Sequence, residues 1–184
     1  MIVIPFVYLI FSVVIHELAH GYVALYLGDS TAKDRGRLSF NPIKHLDPMG
    51  SVLIPGLLML SGAAFLLGWA KPVPVDISNF KKPVRDMMLV AVAGPVSNIF
   101  IGFVSVVAYS ILLGNGFFEV NAQTYRALTH GVSYFFQLNI YLAVFNLLPI
   151  PPLDGSRILS FFLNRNYQLK LYGFERYGFL VIFL

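Results

Sequence analysis

The amino-acid sequence predicts an all-α polytopic membrane protein, a helical bundle with a short β segment at the membrane surface and one segment that can re-enter rather than cross. Three observations carry this. The 184 residues are 57% hydrophobic and 12% charged, whereas a soluble domain has about 25% charged residues. The mean hydropathy is +0.73, and 17 Phe with 10 Tyr suit a chain whose solvent is a bilayer. Apolar stretches of helical length alternate with polar, turn-rich ones. The length fits a single membrane-embedded domain over 1–184. With no cysteine, disulfides and thiolate metal ligands are excluded. The net charge of +4 is spread through loops between apolar segments, which argues against a nucleic-acid partner and reads as a topology signal.

Residues 2–27 form a first span, long enough for about 30 Å of hydrocarbon. They lack a basic leader and stay apolar to Leu27, so we read a retained helix, not a cleaved signal. "GDSTAKDRGRLSFNPIKHLDP" follows, and the weak alternation in "RGRLSFN" predicts a short strand or hairpin. Residues 49–68 are apolar but carry Pro55, Gly56 and Gly62. "WAKPVPVDISNFKKPVRD" is too rich in proline to be helical throughout. Residues 87–113 make a long apolar helix containing "AGPVSN", and a loop runs from Gly114 to about His130. Residues 132–148 make another helix, ended by "PIPP", after which "LDGSRILSFFL" starts a short one. The closing "YGFLVIFL" is too short to cross. Either the last helix only dips into the membrane or the chain stops partway through it.

Lys and Arg number four in the first polar loop, four in the second, one in the third (Arg126) and four in the last. If every apolar segment crossed, the two faces would hold eight and five. If residues 49–68 re-enter, the first, second and last loops share a face and the split is twelve to one. The positive-inside rule favours the second arrangement. Pro55-Gly56 and Gly62 permit the bend if protein shields the freed backbone groups. The N-terminus then lies outside and the first loop in the cytosol.

In "IHELAHGYVA", His16 and His20 are i and i+4 and share a helix face. Two imidazoles at that spacing can bind one zinc ion, and Glu17, one step round, can take a proton from water that the metal polarises. Packing alone explains these residues poorly, because ionisable groups in a membrane helix are costly and mark function. Catalytic zinc takes a third protein ligand. The metzincin position is Tyr26. Glu119 falls in the loop on the opposite face, Glu175 near the chain end, and His45 and His130 in polar loops. Asp154 sits between apolar runs on the face where the first helix exits, and its local sequence suits a helix N-cap as well as a ligand.

"HELAH" followed by a distal "NLLPIPPLDG" resembles the site-2 protease family of intramembrane zinc metalloproteases. "GRLSFNPIKHLDPMGS", "GWAKPVPV" and "AGPVSN" also fit, in order, from residue 15 to about 160. The likeness is to short members without a PDZ insertion. It implies one zinc ion held by His16, His20 and Asp154, with Glu17 as catalytic base. It places Asn146 and Asn98 near the substrate, where either could donate a hydrogen bond to an oxyanion or to backbone. For each, an interhelical bond is the competing role. The implied substrate is a membrane-anchored protein cut in or near its transmembrane segment. The implied location is a multi-pass place in the cell membrane with the active site toward the cytosol. A transporter using the same His/Asp site is the alternative, against which Glu17 argues. His16 lies about 21 Å along its helix, below the bilayer midplane. A helical substrate must unwind there, and "LSF" at 38–40 could offer it a strand edge, unless that loop only anchors to the surface.

Overall fold

The computed structural model describes residues 3–62, 70–114 and 121–183. Seven α-helices follow in order: α1 Val3–Tyr26, α2 Thr31–Asp34, α3 Ile54–Leu60, α4 Pro83–Gly114, α5 Ala122–Asn146, α6 Asp154–Phe162 and α7 Arg165–Phe183. Single-turn 3-10 segments at Pro42–His45 and Ile77–Asn79 and a π-helical turn at Pro48–Leu53 lie between them.

The centre is a bundle of α1, α4 and α5. Ser12 and His16 meet Asn98, and His20 meets Val90, so α1 and α4 run antiparallel. Asn98 meets Asn139 while Tyr109 meets Thr129, so α4 and α5 run antiparallel too. Gly102 lets α4 and α5 approach, since a Cβ there would lie 3.4 Å from Asn139 Cβ. Tyr8 stacks edge-on against Phe135 at 5.2 Å, completing the triangle.

The bundle is inverted relative to a soluble protein. Ser12, His16, His20, Asn98 and Asn139 are buried, while Phe6, Phe11, Phe100, Phe103 and Ile111 face outward and exposed. Burying polar groups and exposing aromatic ones is costly in water and suits hydrocarbon. α1 and α4 are long and apolar enough to cross a bilayer.

The antiparallel order gathers the end of α1, the start of α4 and the end of α5 at one end of the bundle. The polar loops pack there. Phe80 of the second loop joins Ala24 and Val90 in a small apolar core. Asp29, fully buried, accepts from the amides of Thr31 and Asp76 and the side chain of Asn79. The first and second loops are thereby one unit.

Two expectations change. No strand forms among the described residues; Leu46 and Ala70 make an isolated antiparallel bridge. Residues 37–39 are not in regular structure, and their edge is already used. Ser39 donates its amide to Arg37, and its carbonyl accepts from His45 Nε2. Leu38 turns toward Gly21, where a Cβ would lie 2.4 Å from its methyl. "LSF" therefore offers no free strand edge at Ser39. Second, α5 starts ten residues before 132, because Asn121 caps it by accepting from the Thr124 amide. Its first turns are almost wholly exposed and carry no apolar stripe to read. Within 49–68, α3 ends at Leu60, followed by a turn with Gly62 at φ +71°. The rest of 49–68 lies outside the described residues.

Candidate metal centre

His16 and His20 sit one turn apart on α1, with ring centroids 4.6 Å apart and planes nearly perpendicular. Their Nε2 atoms are 3.0 Å apart. Asp154 Oδ2 lies 3.2 Å from one and 3.3 Å from the other. Among the described residues, this is the group of three side chains whose ligand atoms converge as a metal site requires. Asp154 is the first residue of α6 and makes no cap bond. Its side chain lies against the two imidazoles instead.

The far side of each ring is fixed. His16 Nδ1 donates to Asn98 Oδ1 at 2.6 Å and His20 Nδ1 to the Val90 carbonyl at 2.7 Å. Asn98 is oriented as acceptor because its Nδ2 is committed to the Ser12 carbonyl and Asn139 Oδ1. With Nδ1 the donor on each ring, both Nε2 atoms point toward each other and toward the carboxylate. Three ligand atoms within 3.3 Å of one another are placed as a shared metal ion would need them. Asp154 Oδ2 is also buried with no hydrogen-bond partner among the described residues. A two-imidazole, one-carboxylate set with this geometry fits zinc.

Two glycines make the approach possible. A Cβ on Gly94 would lie 2.5 Å from Cε1 of both histidines, so only glycine lets α4 back them this closely. A Cβ on Gly155 would lie 2.2 Å from the Leu147 carbonyl oxygen, so the glycine after Asp154 lets α6 start where it does. Both lie in quoted motifs, yet their steric role depends on contacts distant in sequence.

Glu17 is half-buried beside the cluster, and its Oε2 accepts from the Val73 amide at 2.7 Å. Asn98 is fully buried behind His16 with its amide fully engaged, which leaves it nothing to offer a substrate. These are the interhelical bonds named as the competing role for Asn98. Asn146 is half-buried, and its amide donates to Leu142 in its own helix. His45 is buried in the first loop against Ser39, and His130 is exposed on α5. Glu119 lies outside the described residues. Asn139, buried and bonded to Asn98, was not singled out from sequence; an Asn in an apolar helix is the signal that could have found it.

The model of peptidase family M50 matches residues 116–183, the part carrying Asp154. "Putative zinc metalloprotease YwhC" of Bacillus subtilis is 44% identical over 173 residues, covering 94% of this chain and 75% of that protein. "Putative zinc metalloprotease Rip2" of Mycolicibacterium smegmatis is 30% identical over 93% of this chain, which spans 61% of that relative. "Zinc metalloprotease MJ0392" of Methanocaldococcus jannaschii is 30% identical over 88% of this chain and 35% of its own length. No solved structure matches. On this likeness, and on a His/Asp cluster able to hold the metal, the chain belongs to peptidase family M50, the site-2 protease family, and is a metallopeptidase that uses zinc.

Proposed function

We propose that this chain is an intramembrane zinc metalloprotease of the site-2 type. It hydrolyses a peptide bond within or near the transmembrane segment of a membrane-anchored protein. The observation that carries this is the convergence of His16, His20 and Asp154 inside a bundle whose outer face is apolar. His16, His20 and Asp154 hold the metal, and Glu17 is the general base. Zinc, when bound, polarises the scissile carbonyl and makes water acidic enough to give up a proton near neutral pH. Asn98 and the Val90 carbonyl hold the two rings with Nε2 forward. Glu17, hydrogen-bonded through one oxygen, has the other available to accept the water's proton and later pass it to the leaving amine. Asn146, the last residue of α5, in the stretch that leads to Asp154, is the group we assign to substrate backbone.

The site lies 13 residues along α1 from Val3, about 20 Å into the membrane. The loops that pack at the site end hold most of the Lys and Arg, which supports a multi-pass chain with that end cytosolic. The Leu46–Ala70 bridge, which brings the two ends of the intervening segment together, supports re-entry there. Among the described residues there is one metal-binding group and no succession of them, which weighs against a transport path. Glu17→Gln in purified, zinc-loaded protein with a single-span substrate tests the reading. Zinc should stay bound and cleavage should fall by at least about a hundredfold; undiminished cleavage overturns it.

A further inference from the structure

The segment "AKPVPV", residues 70–75, has no secondary structure beyond the bridge at Ala70, yet its backbone is held at three successive residues, Lys71 to Val73. The Lys71 amide donates to the His45 carbonyl at 2.8 Å. Arg37 Nη2 donates to the carbonyls of Lys71 and Pro72, at 2.7 and 3.2 Å. The next amide, Val73, donates to Glu17 Oε2 at 2.7 Å. The Asp76 amide donates to buried Asp29.

Two features make this more than a packed loop. Pro72 and Pro74 have no N–H, so Val73 carries the single amide between Lys71 and Val75. Pro74 also biases Val73 to extended backbone, and Pro72 has its own φ fixed. The pattern thus presents one donor in one direction. Meanwhile Arg37 is 91% buried, and among the described residues no carboxylate pairs with it. A buried guanidinium bonded to two consecutive carbonyls is a backbone clamp. Gly21, one turn beyond Glu17, leaves room for the clamped segment: a Cβ there would lie 3.0 Å from a Val73 methyl.

We propose that Arg37 and the Pro72-Val73-Pro74 strap are positioning elements for the catalytic base. Arg37 fixes the strap, and the strap's one amide fixes the Glu17 carboxylate, leaving its other oxygen toward the reacting water. The proposal rests on Glu17 being the base.

Val73→Pro removes the amide in a chain already extended, and Val73→Ala keeps it while trimming the side chain. With a single-span substrate, kcat of Val73→Pro should fall about tenfold to a hundredfold below that of Val73→Ala, with KM and bound zinc equal between them. Arg37→Met should lower kcat in the same way, and Arg37→Lys, which keeps a charged donor at a slightly shorter reach, should recover part of the loss. Independently of activity, hydrogen exchange at the Val73 amide should be slow in the zinc-loaded protein and faster in Glu17→Ala. Equal kcat in the two Val73 variants, a loss that tracks zinc or KM, or unchanged exchange overturns the proposal. If Glu17→Gln itself cleaves normally, the base assignment has failed instead, whatever the strap variants do.

Discussion

His16 has two ring nitrogens, and the fold gives them different work. Nδ1 is bound to Asn98, which frees Nε2 for the metal. Asn98 can do this because Asn139 and the Ser12 carbonyl take both of its donors, so three helices contribute to one tautomer. Removing such an outer partner typically costs tenfold to a hundredfold in metal affinity. We expect Asn98→Ala to weaken zinc binding by about that factor, measured by competition with a chelator, and Asn98→Asp, which keeps an acceptor, to lose less. Unchanged affinity in Asn98→Ala would show that the bond does not orient the ring. The pairing of His16 with His20 was legible in the sequence, because i, i+4 spacing is local and three ionisable groups in an apolar run demand a reason, whereas local sequence left Asp154 divided between cap and ligand. Asn139, Gly94 and Val73 were not legible in these roles. Each acts through a contact 40 or more residues away, and nothing local encodes it.

At the scale of elements, the long helices follow from apolar length, and α1 and α4 lie within a few residues of their expected ranges. The loops do not follow so simply. Alternation in "RGRLSFN" predicted a strand, but a strand needs a partner, and the neighbouring groups are spent on His45, Arg37 and Gly21 packing. What orders the loops instead is a set of buried polar hubs, and Asp29 is the clearest. Burial alone would raise its pKa, but the bonds from Thr31, Asn79 and the Asp76 amide outweigh it and hold the carboxyl below the usual range. A depressed folded pKa contributes stability that is present above the unfolded value, about 3.9, and is lost as pH falls through the folded value. We therefore expect Asp29→Asn to lower Tm at neutral pH. The gap to the wild type should narrow as pH drops below about 4. A gap that is constant with pH would mean that the carboxylate's charge does not hold the loops together.

At the scale of the molecule, the arrangement follows from α4 running against both α1 and α5. That order brings the cluster, the first two polar loops and the turn before α6 to one end, and leaves the end of α4 and the start of α5 at the other. Twelve of the 13 Lys and Arg belong to the first, second and last polar segments, and Arg126, near the start of α5, is the remaining one. Charge count and helix direction are independent observations, one from composition and one from contacts, and they divide the chain the same way. In the proposed reading, the positive-inside rule puts the Lys- and Arg-rich end in the cytosol. We expect a reporter fused within residues 70–82 to read as cytosolic, and one fused just before α5 to read as outside. A single crossing by the segment after Pro48 would place the 70–82 reporter outside. It would also separate Ala70 from Leu46 by the thickness of the bilayer and Val73 from Glu17 by much of it, although the fold holds both pairs in contact. An outside reading at 70–82 would therefore overturn the re-entrant topology and the loop packing around the site together.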